Sequence, residues 1–147
     1  MNHLIFWIAG ALAELANPTT YTRADVLEAL RIVECGDVAK PPRGDGGAAR
    51  GWYQIWRVYW YDAVEFSGLG GTYEQVETDR AYADQVVSAY MDRYAKEAWS
   101  RILAGTASIA DVEKVARIHN GGPRGHKKKA TDRYWSKVKK ELKHAKN

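Results

Sequence analysis

From residue 22 onward, apolar residues recur at helical spacing in blocks separated by glycine, proline and polar positions. Thr22 stands three residues before Asp25 and opens a pattern in which Val26 or Leu27, Leu30 and Val33 share one face, so a capped helix is predicted to run to about Glu34-Cys35-Gly36. Asp37 to Gly51 carries Pro41-Pro42 and Gly44-Asp45-Gly46-Gly47, which no helix or regular strand can pass through. It reads as a loop or short hairpin, with a brief strand expected at Trp52 to Ile55 leading into an aromatic segment from Trp56 to Phe66. Thr78 and Asp79 are caps for a long central helix, where Tyr82, Val86, Tyr90 and Tyr94 recur every four residues. Ser108 precedes a further stretch through Val112, Val115 and Ile118 that Asn120-Gly121-Gly122-Pro123 ends, and Thr131 is the predicted cap of a last helix with Tyr134, Val138 and Leu142 facing inward. The expected class is α+β, mainly helical, with a small irregular or β element around residues 37–55.

The pattern before residue 22 differs. Leu4 to Ala13 is one apolar run, either a short signal-peptide core or a docked helix, so residues 1–21 are set apart from a folded unit over 22–147. The run is too short to span a bilayer, which takes about 20 apolar residues. The whole chain of 147 residues suits one compact unit, expected as a monomer, and its single cysteine, Cys35, excludes an internal disulfide framework. Charge is divided unevenly. Residues 1–110 hold 10 basic and 14 acidic side chains, and the remainder hold 12 basic and 4 acidic. A basic final helix on an acidic body points to a polyanionic partner.

Two carboxylates stand out by their surroundings. Glu34 ends an apolar helix, whereas Asp45 lies in a polar, glycine-rich loop. Glycoside hydrolysis uses such a contrast: one carboxyl kept protonated by apolar neighbours acts as general acid, and one kept ionised by water faces the developing oxocarbenium ion. Trp52, Tyr53 and Trp56 are at hand to supply the apolar surface. No Gly-x-Ser-x-Gly elbow is present, and His119 has no second ligand at helical spacing, so neither a serine hydrolase nor a metal or other cofactor is expected.

The segment from Glu34 through Asp45-Gly-Gly-Ala-Ala-Arg-Gly51-Trp-Tyr-Gln54-Ile55 to Tyr59-Trp60-Tyr61-Asp62 resembles the active-site region of the invertebrate-type (destabilase-like) lysozymes. Tyr90-Met91-Asp92-Arg93-Tyr94 and Ala116-Arg117-Ile118-His119-Asn120-Gly121-Gly122-Pro123-Arg124-Gly125, then Thr131 and Tyr134-Trp135, look like later motifs of that family in the same order. The resemblance implies a lysozyme-like fold and hydrolysis of the β-1,4 bond between N-acetylmuramic acid and N-acetylglucosamine in peptidoglycan, with chitin-type oligosaccharides as a second substrate. It implies Glu34 as general acid, Asp45 as nucleophile or stabiliser, and Trp52, Tyr53, Gln54, His119 and Asn120 as substrate contacts. The basic helix would hold the protein against anionic cell wall, with no nucleic acid partner expected. Secretion, a periplasmic location or phage delivery would bring it there.

Family members are typically rich in cysteine, yet Arg50, Ala63 and His126 stand where such cysteines usually fall, which suggests a microbial or phage version held by packing alone. The Asp45 loop is also one residue shorter before Gly51. Two other readings stay open at this point: a lytic transglycosylase using Glu34 alone, and a non-catalytic module that binds glycan or nucleic acid.

Overall fold

The computed structural model describes residues 18–146, so the apolar run at 4–13 lies outside the described residues. Six α-helices form among them: α1 (Arg23–Cys35), α2 (Arg57–Ser67), α3 (Arg80–Tyr94), α4 (Lys96–Leu103), α5 (Ile109–Gly121) and α6 (Asp132–Ala145).

Local chemistry sets most boundaries. The Thr22 hydroxyl accepts from the Asp25 backbone N–H while the Asp25 carboxylate accepts from that of Thr22, closing a capping box at the head of α1. Ser108 and Asp111 repeat the device on α5, and Asp79 caps α3 through the Tyr82 N–H. At the far end of α2, Gly68 takes the left-handed conformation that a side chain would resist. Thr131 precedes α6 as expected but caps nothing. A 3-10 turn over Lys129–Thr131 leaves it in helical geometry, and its hydroxyl turns back to the carbonyls of Gly125 and Lys128.

The predicted central helix is α3, which buries Tyr82, Ala83, Val86, Val87, Tyr90 and Met91. It packs against α2, α4 and α5, while α6 packs against α1 and α5, and the shared core includes Val26 and Leu30 of α1, Val112, Val115 and Ile118 of α5, and Val138 and Leu142 of α6. Each such aliphatic side chain contributes about 1.5–3 kcal/mol by leaving water. Helix α4 was not evident in the sequence pattern. It is only 8 residues long, and its inward residues Ala98, Trp99 and Ile102 are too few to establish a period.

Between α1 and α2 the chain is irregular, as the glycines require. Isolated antiparallel bridges Gly44–Ala49 and Arg50–Ile55 pinch it into two successive tight loops. The expected strand at Trp52 to Ile55 is instead a turn, because Gly51 (φ 74°) and Gln54 (φ 47°) both curl the backbone into the left-handed region. This pinched segment lies beside the C-terminal end of α1 and carries Asp45 in a 3-10 turn, Asp45–Gly47.

Candidate active site

Glu34, Asp45, Gln54, Trp56, Tyr59, His119 and Asn120 line one cavity of about 290 Å³. The chain gathers them from the end of α1, the pinched segment, the start of α2 and the end of α5. A larger cavity of about 430 Å³ lies elsewhere, beside Glu28, Tyr53, Arg80 and Asp84. Its polar side chains are tied to partners, Arg80 to Glu28, Arg23 to the Ser88 hydroxyl and Asp84 to the Tyr53 hydroxyl. Chemistry rather than size therefore singles out the smaller one.

Glu34 is held firmly. Its Oε1 accepts a hydrogen bond of 2.8 Å from the Tyr134 hydroxyl on α6, and His119 Nε2 lies 3.2 Å from the same oxygen. Nε2 is also 3.1 Å from the Tyr53 carbonyl, while Nδ1 is 3.0 Å from the Tyr59 hydroxyl. These partners fix the tautomer. Burial pushes the Tyr59 hydroxyl well above its ordinary range, so it keeps its proton, and because Nε2 faces two acceptors, the neutral ring accepts that proton at Nδ1. Nε2 must then carry the ring proton toward the Tyr53 carbonyl and Glu34, both of which can only accept when the glutamate is ionised. The Tyr59 ring is in turn stacked on Tyr90 of α3, 3.6 Å between centroids, which fixes the hydroxyl on which His119 depends.

Asp45 reaches the same cavity from a different environment. It is exposed, has φ 50°, and is flanked by the open backbone of Gly46 and Gly47. One carboxyl is thus enclosed by two tyrosines and a histidine, and the other is open to water.

The structure distributes the remaining expected contacts. Gln54 and Asn120 line the cavity, Asn120 as an exposed residue at the end of α5. Both amide protons of Gln54 are engaged within its own segment, at the carbonyls of Pro42 and Gly51, and its oxygen packs against Gly44, so the side chain is held on all sides by its own loops. His119 borders the cavity, but its side chain is only 2% exposed and acts on Glu34. Tyr53 is buried with its hydroxyl on Asp84, contributing only its carbonyl, and Trp52 packs against the core. Trp56, by contrast, is 48% exposed at the cavity rim. Tyr134 and the hydroxyl of Tyr59 were not evident as site groups from the sequence. The available signal was a tyrosine at each core-facing position, where a buried hydroxyl must find a partner.

The family model described as Destabilase matches residues 29–141, a span that contains every group in this constellation. The chain belongs to the destabilase family. Among the relatives of this destabilase-family chain, invertebrate-type lysozyme 6 of Caenorhabditis elegans is 34% identical over 139 residues, covering 85% of this chain and 91% of its own. A lysozyme of Magallana gigas is 38% identical over 88 residues, 60% of this chain and 56% of the relative. This chain spans about half the length of the oyster relatives that it matches. The crystal structure of Tapes japonica lysozyme superposes with a TM-score of 0.62 at 28% identity, covering 84% of this chain and 94% of that one. The helical destabilase fold is therefore shared with solved lysozymes.

Proposed function

We propose that this protein is a lysozyme, a glycoside hydrolase that cleaves the β-1,4 bond between N-acetylmuramic acid and N-acetylglucosamine in peptidoglycan. One observation carries the reading: two carboxyls in unlike environments, Glu34 enclosed and Asp45 open, border the same cavity. In its protonated form Glu34 donates to the leaving glycosidic oxygen, and the Asp45 carboxylate attacks or stabilises the anomeric carbon. Water then completes the cleavage, returning the proton to Glu34. The exposed Asn120 amide suits the hydroxyl and N-acetyl groups of the sugars. Trp56, half exposed at the rim, suits the apolar face of a pyranose ring.

Its place of action is the bacterial wall, reached by secretion, through the periplasm or by phage delivery. Among the described residues no helix is long and apolar enough to cross a membrane. On α6, Arg133, Lys137, Lys140 and His144 are spaced four, three and four residues apart and exposed, opposite the buried Val138 and Leu142. That stripe, about 16 Å long at 1.5 Å per residue, is the surface that holds the anionic wall.

The test is mass spectrometry of muropeptides after digestion of purified peptidoglycan. Hydrolysis yields fragments with reducing ends, and Glu34→Gln in a folded protein lowers their release at least about 10²-fold. Anhydro ends would make the protein a transglycosylase. Substantial lysis by a folded Glu34→Gln variant would remove the enzymatic assignment.

A further inference from the structure

Among the described residues, Asp45 (φ 50°) and Gln54 (φ 47°) are the non-glycine residues with positive φ, and both line the cavity. Left-handed backbone on a residue with a side chain is disfavoured and persists where the surroundings hold it. Here the surroundings are the short 3-10 turn Tyr73–Glu77, which lies against the pinched segment. The Tyr73 hydroxyl has one proton and two acceptors, the carbonyls of Ala48 at 2.8 Å and Ile55 at 2.7 Å. Those carbonyls belong to the two successive loops that the bridges Gly44–Ala49 and Arg50–Ile55 close, so one hydroxyl joins both. Tyr73 is 3% exposed, and two guanidinium groups approach its ring, Arg50 at 4.8 Å and Arg57 at 4.6 Å from the centroid. Arg43 adds a bidentate pair with Glu77, at 2.9 and 2.6 Å. Gly51 sits so close to the Val76 carbonyl that a Cβ would come within 2.0 Å of it. The turn is thus tied to the segment at its first residue by Tyr73 and at its last by the Arg43–Glu77 pair, with Gly51 close against Val76.

We propose that Tyr73 is a positioning residue for Asp45, joined in this by the Arg43–Glu77 pair. The inference rests on the lysozyme reading, in which Asp45 is the second carboxylate. Tyr73 is the stronger tie because its hydroxyl bonds are buried, whereas Arg43 is 53% exposed and its pair is screened by water and salt. Loss of the hydroxyl lets the Ala48 and Ile55 carbonyls separate and the Asp45 turn relax from its left-handed geometry. The carboxylate then leaves the position from which it acts on the anomeric carbon. Asn120 binds substrate from α5, outside the tied segment, so the effect falls on turnover.

A double-mutant cycle tests this on a soluble peptidoglycan fragment, with wild type, Tyr73→Phe, Asp45→Asn and the double variant. The expected result is a loss of kcat of about tenfold in Tyr73→Phe at unchanged KM, and less than about twofold further loss when the same change is made in Asp45→Asn. An equal loss in both backgrounds overturns the inference, since Tyr73 would then serve the fold in general, and so does an unchanged kcat in Tyr73→Phe. If Asp45→Asn alone leaves kcat intact, the role given to Asp45 fails first, and that result is distinct from additivity. Arg43→Gln, exposed and without bearing on the core, carries the same cycle should Tyr73→Phe not fold. It is expected to lose about twofold to threefold in the wild-type background and nothing in Asp45→Asn, and an equal loss in both overturns the inference.

Discussion

Tyr134 donates its hydroxyl proton to Oε1 of Glu34 across one hundred positions of sequence, at 2.8 Å. Burial and the neighbouring carboxylate both push the Tyr134 hydroxyl well above its ordinary range, so it stays a donor at every working pH. The bond fixes the orientation from which the Glu34 carboxyl delivers its proton, and a misplaced acid loses rate without losing substrate. Tyr134→Phe is therefore expected to lower kcat about tenfold at constant KM while the circular dichroism spectrum is retained. An unchanged kcat in steady-state assays would show that the other contacts suffice to hold Glu34.

His119 and Asn120 are adjacent in sequence and are expected to respond oppositely. Replacing His119 by Phe strands the Tyr59 hydroxyl and takes the ring N–H from the Tyr53 carbonyl, each about 1–3 kcal/mol when buried without a partner. Urea unfolding should therefore report a loss of about 2–4 kcal/mol. Asn120→Ala, at an exposed position, should stay within about 0.5 kcal/mol of wild type and raise KM instead. Equal stability in the two variants would contradict the buried role of His119.

The α6 stripe is expected to matter for intact wall and not for small fragments. Lys128 is left out of the test because its ammonium group hydrogen-bonds the Gly121 carbonyl at the end of α5. Changing Lys137 and Lys140 to Gln should weaken lysis of whole sacculi at low salt, with the deficit closing as salt rises toward about 1 M, where the Debye length is about 3 Å. Cleavage of neutral oligosaccharides should be unaffected. Equal losses on both substrates would assign these lysines to the cleft.

Asp111 predicts a pH dependence of stability. Its side-chain bonds to Arg101 are the main reason that its carboxyl is held below the ordinary range, with the Ser108 backbone N–H assisting. A depressed folded-state pKa stabilises the fold above the unfolded value of about 3.9 and loses that contribution as pH falls through the folded value. Asp111→Asn should accordingly lower Tm at pH 7, by a free-energy loss of about 1 kcal/mol through the weakened cap. The gap between the two proteins should close below about pH 4. A gap that is constant with pH would mean that the ion pair with Arg101 contributes nothing.

The helices that the sequence made legible are those with a cap and a sustained stripe: Thr22 and Asp25 for α1, Asp79 for α3, Ser108 and Asp111 for α5. Helix α4 offered three inward residues in a single turn and a half, too little for a period. The segment at 52–55 misled because Trp52, Tyr53 and Ile55 are strand-forming residues and carry no sign of the positive φ at Gln54, which long-range ties impose. At the site, Glu34 and Asp45 were legible because their neighbours in sequence already differ in polarity. The hydroxyls of Tyr59 and Tyr134 were not, since their partners, His119 and Glu34, are 60 and 100 residues away.

Because Glu34 and the tyrosine that orients it stand so far apart along the chain, the site is also a clock for biosynthesis. A ribosome has made Glu34 and Asp45 long before it reaches Tyr134, and even His119 must leave the exit tunnel before the carboxyl has either of its partners. Local helices can form during that interval, since they need only near neighbours, but docking α6 on α1 closes a loop that spans most of the chain. A nascent chain stalled before α6 would carry both carboxylates and lack the Tyr134 contact, so the site is complete only after α6 has been made.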